Sequence, residues 1–403
     1  MESHVKRQFI FGLIALILAS LACQSPLRPT DIPLPAPSLT PTITITPTLT
    51  LTPTPTITPT PPLTTSGGPA LVELHMFTPT RGWGLTKNQI LITNDGGRHW
   101  AQVPLPGVTL DPSVSAYFVN SDIAYFLAPF PGTEFGQLFA TRDGGATWLT
   151  SPTLFQSAKL YFVDDNVGFA LQTLSIGGDW MRVAIYQTLD RGASWTQVFA
   201  HAADQTFDQD DQNLPVRGVK TGISFVNPSQ GALGLSALGD DVGLYHTDDS
   251  GRTWVKQQLT LPDGITDGYQ TTVWPAFFFP GDLDNGIVAV DFLTLSGIFT
   301  RGFYATQDTG VSWEKRGELP GGGVASFIDS NTGWAWSDHN LYTTSDGATT
   351  WTQIPAAFGP SENATILDFA DAQNGWIITV DAKNVLRMYR STDGGETWVA
   401  IIP

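Results

Sequence analysis

One eight-residue phrase returns seven times along this chain, and it limits the fold more than any other feature. The copies are Thr93–Trp100 (TNDGGRHW), Thr141–Trp148 (TRDGGATW), Thr188–Trp195 (TLDRGASW), Thr247–Trp254 (TDDSGRTW), Thr306–Trp313 (TQDTGVSW), Thr344–Trp351 (TSDGATTW) and Ser391–Trp398 (STDGGETW). Their aspartates, Asp95, Asp143, Asp190, Asp249, Asp308, Asp346 and Asp393, are 48, 47, 59, 59, 38 and 47 residues apart. A period of this length means radial or linear repetition of one supersecondary unit.

A second phrase fixes what each unit contains. An aromatic ending a short apolar run is followed by a small or Gly-aromatic pair, as in Phe77…Gly82-Trp83, Phe162…Gly168-Phe169, Phe327…Gly333-Trp334 and Phe369…Gly375-Trp376. Each unit therefore offers four short strands: the aromatic run, the Gly-Trp run, the run entering the aspartate and the run leaving from its tryptophan. Four antiparallel strands per unit, seven times, predict an all-β chain: a seven-bladed β-propeller of four-stranded antiparallel blades over residues 69–403.

Within the phrase, Asp and Thr/Ser suit a tight turn between the third and fourth strands, because their oxygens accept nearby backbone N–H groups. Gly supplies positive φ, and the tryptophans Trp100, Trp148, Trp195, Trp254, Trp313, Trp351 and Trp398 are placed to pack between sheets. Seven copies of a turn are structural, so none of these aspartates is expected to be catalytic. The sixth copy has Ala348 where Gly is usual and is expected to be the most distorted.

If these turns share one face, the connections between second and third strands, and between units, share the other. The long connections lie there: 201–217, 258–275, Ala128–Gln137, Ser175–Trp180 and Thr294–Arg301. Loops on a rigid scaffold are where binding residues concentrate. The candidate binding residues, near units 3 to 5, are Asp208, Asp210, Asp211, Arg217, Asp240, Asp241, Trp180, Tyr269 and Trp274. The acidic runs read as solvated loops rather than calcium sites, and Trp274 with Phe277–Phe279 as filling of the unit 5 core. No metal, cofactor or nucleophile pattern is present in the sequence.

The repeated phrase resembles the Asp-box, or BNR, repeat of sialidase-superfamily propellers, and with the Gly-Trp phrase it looks like the photosystem II assembly and stability factor propellers. The resemblance implies a non-catalytic domain that binds or scaffolds a protein or glycan through its loop-rich face. The alternative it carries is an extracellular glycoside hydrolase, sialidase- or xyloglucanase-like. Sialidases also carry an Arg-Ile-Pro motif and an arginine triad. This chain has no Arg-Ile-Pro, and Arg98, Arg142, Arg191 and Arg252 lie inside the repeated phrase. Xyloglucanase-like propellers use two aspartates, for which Asp210, Asp241 or Asp267 remain open candidates.

The amino terminus reads as an export device. Lys6 and Arg7 precede the apolar run Phe9–Ala22, too short for an ordinary transmembrane helix, and Ser20-Leu21-Ala22-Cys23 resembles a bacterial lipobox. Residues 1–22 are thus expected to be a signal peptide of lipoprotein type, with Cys23 the lipidated residue. Residues 23–68 form a Thr/Pro-rich stalk in which recurrent proline prevents a core. The expected location is the outer face of the cytoplasmic membrane or the cell surface, lipid-anchored, with secretion as the alternative. A monomer is expected. The net charge of −17 argues against nucleic acid as a partner, because phosphate binding needs a basic surface.

Overall fold

Alternation of apolar and polar residues, cut by Gly and Asp turns, makes every described element a strand. In a computed structural model the chain divides into two units, Met1–Leu51 and Thr52–Pro403. The described residues are 56–57 and 70–401, without 131, 204–212, 239–241, 267, 356–357 and 359–361, and all belong to the second unit. The signal segment, Cys23 and the Thr/Pro stalk lie outside them, apart from Thr56–Ile57, which pair antiparallel with Thr147–Trp148.

Seven repeats follow, each a meander of four antiparallel strands. Unit 1 is Glu73–Met76, Gly82–Leu85, Ile90–Thr93 and Ala101–Gln102; unit 7 is Asn363–Phe369, Gly375–Val380, Leu386–Ser391 and Val399–Ala400. Units 2, 3 and 6 repeat the order. Units 4 and 5 are joined in one nine-stranded sheet.

Packing closes these repeats into a ring. Seven apolar clusters are each shared by two consecutive units, and one of them joins Leu74, Met76 and Trp100 of unit 1 to Trp376 and Ile378 of unit 7. Aromatics near the start of the second strands explain the fit in several units: Tyr125 stacks on Phe162 at 3.6 Å, Phe169 on Phe225 at 3.5 Å and Trp334 on Phe369 at 3.7 Å, each pair spanning two units. The result is a β-propeller.

A belt of side chains at one register of the innermost strands reinforces the ring. Each belt residue sits opposite the second-strand position after the Gly, or after Ala124 in unit 2, and reaches the next unit's innermost strand. The Tyr161 hydroxyl donates to Phe225 O (3.0 Å), Ser326 Oγ accepts Phe369 N–H (3.0 Å) and Asp368 Oδ2 accepts Met76 N–H (2.5 Å). His75 meets Phe118, Tyr117 meets Phe162, and Phe277 meets Phe327 by ring contact. Asp368 closes the seam between units 7 and 1, where burial pushes its carboxyl up to about 7. There Trp376 Nε1 also donates to Gly96 O and Arg390 Nη2 to Pro79 O. Units 1 and 7 each supply all four of their own strands, so among the described residues no sheet is shared across the seam.

Candidate binding surface

The seven aspartate hairpins share one arrangement. In each, the Thr or Ser hydroxyl donates to Asp Oδ1 (2.7–3.0 Å) and accepts the N–H two residues beyond the Asp (2.8–3.1 Å). The same Oδ1 accepts the N–H four residues beyond (2.8–2.9 Å). Oδ2 takes that residue's hydroxyl, or in the first copy His99 Nδ1, at 2.5–2.7 Å. The residue after each Asp then donates its N–H to the turn between the unit's first and second strands, from Gly96→Thr80 O through Gly394→Gln373 O. Both kinds of turn therefore lie on one face.

Every motif carboxylate is thus saturated inside its own turn. Burial works against the charge at Asp95, Asp143, Asp190, Asp249 and Asp308, but these hydrogen bonds outweigh it; at Asp346 and Asp393 the bonds from Thr350 and Thr397 dominate. All seven carboxyls fall below their ordinary value. The two residues after each Asp have positive φ, including the non-glycines Arg191, Ser250, Thr309 and Ala348. The sixth hairpin keeps the full bond set; its departure is confined to Ala348 at φ 65° and a slightly longer 3.1 Å bond to Thr344.

The opposite face, built from the second-to-third-strand hairpins, is differently composed. Among the described residues, eleven of nineteen exposed large apolar side chains sit on these hairpins: Phe130, Phe135, Leu174, Ile176, Leu238, Leu293, Leu295, Ile298, Phe299, Val385 and Leu386. The aspartate-hairpin face has Leu189, Leu283 and Val311. Exposed apolar groups are thus more numerous on this face than on the other.

The most organised part of that face joins units 4 and 5. Strand Tyr269–Val273 pairs on one side with Ser236–Leu238 of unit 4 and on the other with Val290–Thr294 of unit 5. Alternation sends Tyr269, Thr271 and Val273 into the core, and Gln270 and Thr272 outward. Two cross-strand rows share the outer side: Leu238, Gln270, Leu293 and Phe299; then Ser236, Thr272, Asp291 and Arg301. Arg301 is only 3% exposed and grips Asp291 through Nε (2.6 Å) and Nη2 (2.8 Å), while its Nη1 donates to Gly323 O (2.8 Å). Trp274 Nε1 donates to Asp291 Oδ2 (2.8 Å), and the Arg301 guanidinium lies 5.8 Å from the indole centroid. The indole is fixed yet 43% exposed.

Two expectations are corrected here. Trp274 does not fill the unit 5 core, because the bridging strand carries it to the outer side of the sheet. Tyr269 does not present its ring on the face; it is buried against Phe292, centroids 5.9 Å apart. Of the other candidates, Trp180 packs under Arg182 at 5.4 Å and its backbone bridges to Arg217 and Gly218. Arg217 lies 3.7 Å from Asp179. Asp208, Asp210, Asp211, Asp240, Asp241 and Asp267 lie outside the described residues.

Two polar clusters escaped sequence reasoning. Lys220 is buried, its Nζ 2.5–3.3 Å from the carbonyls of Met181, Pro215, Val216, Arg217 and Gly218, and burial pushes it down to about 7. It fixes the loop that carries Arg217. In unit 7, Glu362 accepts from Thr379 Oγ1 (2.5 Å) and the Tyr389 hydroxyl (3.3 Å), with Arg387 3.6 Å away. Burial raises the Tyr389 hydroxyl, keeping it protonated. Nothing in the local pattern marks Lys220, which shares its strand parity with Gly222 and Ser224 rather than with Val219, Ile223 and Phe225.

Fold and surface together define the class: a closed β-propeller with a self-satisfied face of turns and an opposite face rich in exposed apolar groups. No family model matches the chain. Among curated proteins it is similar to a probable oligoxyloglucan-reducing end-specific xyloglucanase of Neosartorya fischeri, 24% identical over 248 residues, covering 56% of this chain and 27% of the relative. The chain thus spans about a quarter of that relative's length. Among solved structures, YCF48 bound to a D1 peptide has 17% identity and a TM-score of 0.49, covering 86% of this chain and 99% of that one. YCF48 from Cyanidioschyzon merolae is similar at 17% identity and a TM-score of 0.49, with 83% and 98% covered. The GH74 xyloglucanase of Xanthomonas campestris has 14% identity and a TM-score of 0.40, with 85% of this chain and 46% of that one covered.

Proposed function

We propose that this chain is an exported, surface-anchored propeller that binds or scaffolds an extracellular partner through its loop-rich face, without catalysis. One observation carries the reading: carboxylates of the repeated motif are saturated on one face, while exposed apolar side chains gather on the hairpins of the other. The lipobox-like Ser20–Cys23 and the Thr/Pro tract support anchoring, because a proline-rich spacer extends about 3 Å per residue and about 40 residues would reach roughly 120 Å.

The test is capture of partners by the immobilised full chain and two variants. Leu295→Asp changes the loop-rich face, where Leu295 is 93% exposed, and Leu189→Asp changes the hairpin face. Capture should fail with Leu295→Asp and persist with Leu189→Asp; equal capture by both defeats the reading. The glycoside hydrolase alternative is supported by the xyloglucanase likeness and the Glu362–Tyr389 pair. Release of reducing sugar from xyloglucan or a sialoside by the chain, abolished in Glu362→Gln, would put hydrolysis in place of scaffolding.

A further inference from the structure

We propose that the outer side of the fused unit 4–5 sheet is a platform for a neutral saccharide, with Trp274 as the stacking surface. The inference rests on the assignment of binding to the loop-rich face and gives that face a ligand class. A stacking aromatic must offer a ring face and hold it still. Trp274 does both: its N–H is tied to Asp291, Arg301 lies against the indole, and the ring remains 43% exposed.

The surroundings match sugar hydroxyls better than an apolar or ionic ligand. Along the bridging strand, Trp274, Thr272 and Gln270 point the same way at intervals of about 7 Å, and neighbouring strands place Ser236 about 5 Å to one side. Gln270 is exposed, and its amide offers both donors and an acceptor. Ser236 Oγ and Thr272 Oγ1 lie 3.0 Å apart as a hydroxyl pair. Neutral hydrogen-bonding groups beside a fixed aromatic face are the complement of a pyranose, whose ring C–H groups are apolar and whose edge carries hydroxyls.

Charge selects the kind of sugar. The guanidinium of Arg301 is buried and held by Asp291 and Gly323, so among the described residues the platform offers no exposed cation to a uronate or sialate carboxylate. Asp291 is itself buried and committed to the fold, accepting from Arg301 twice and from Trp274 once.

The experiment is calorimetric titration of the full chain with neutral oligosaccharides (cello- and xyloglucan-derived) and acidic ones (oligogalacturonate, sialyllactose), beside Trp274→Ala, Trp274→Phe and Gln270→Ala. A neutral oligosaccharide should bind, Trp274→Ala should weaken it about tenfold or more, and Trp274→Phe should recover part of the loss. Gln270→Ala, exposed and without structural duty, should weaken it about threefold to tenfold with unchanged thermal unfolding. The inference is overturned if acidic sugars bind better, if Trp274→Ala binds as well as the parent, or if no saccharide binds. In the last case a partner captured in a Leu295-dependent way would leave the loop-rich-face reading intact.

Discussion

The two faces of the ring use similar residues to opposite ends. On the hairpin face, Asp, Thr and Ser recur at fixed spacing and satisfy one another, so their polar groups stabilise turns. On the loop-rich face, units 4 and 5 break the repeat, and polar groups such as Gln270 are left outward beside Trp274. Strict repetition marks where side chains serve the fold, and departure from it marks where they are available for something else.

The comparison can be tested by removing groups from each side. The largest effect is expected at the buried ion pair that anchors the loop-rich face. Arg301→Ala should cost about 3–5 kcal/mol in urea unfolding, because it strands a buried Asp291, whereas Asp291→Leu with Arg301→Met should recover most of it. Next comes the belt. Asp368 has a folded value of about 7 against an unfolded value near 3.9, so its carboxyl favours the folded state at low pH. Stability should fall on the order of 2–4 kcal/mol as pH rises from about 4 to about 7, relative to Asp368→Asn, which lacks this term. On the hairpin face, Asp143→Ala removes the acceptor of three bonds and should cost about 2 kcal/mol by chemical denaturation. Thr309→Gly should instead gain about 1 kcal/mol, because a β-branched residue at φ 62° is strained. The smallest effect belongs to Leu295→Ser, within about 0.5 kcal/mol; a larger loss would mean that the exposed hairpins also hold the fold.

Much of this was legible in the sequence because the repeat is a local code. Thr-x-Asp-Gly-Gly-x-x-Trp specifies its own turn, so strand phase and the shared face of the turns could be read from one copy. In the first copy His99 stands where the others have Ser or Thr, and it takes the equivalent Asp95 oxygen. The bridging strand was not legible. Tyr269–Val273 lies in a stretch that reads as a connection, and its pairing depends on two neighbours far away in sequence. Tyr269 and Trp274 were therefore assigned to the wrong sides, since the parity of a strand cannot be set before its partners are known. The belt escaped for a related reason: His75, Tyr117, Ser326 and Asp368 share a register but not a chemistry.

The side-chain closure of the ring separates two orders that most folds tie together, the order of units along the chain and their order around the axis. Units 1 and 7 meet through Asp368, Trp376, Arg390 and an apolar cluster, much as any other neighbours meet. A circular permutant that joins the present ends of the ring and opens the chain at Gly107, where added atoms would touch nothing, keeps all seven interfaces. The seam is an accident of where the chain is cut, and the loop-rich face would travel with it unchanged.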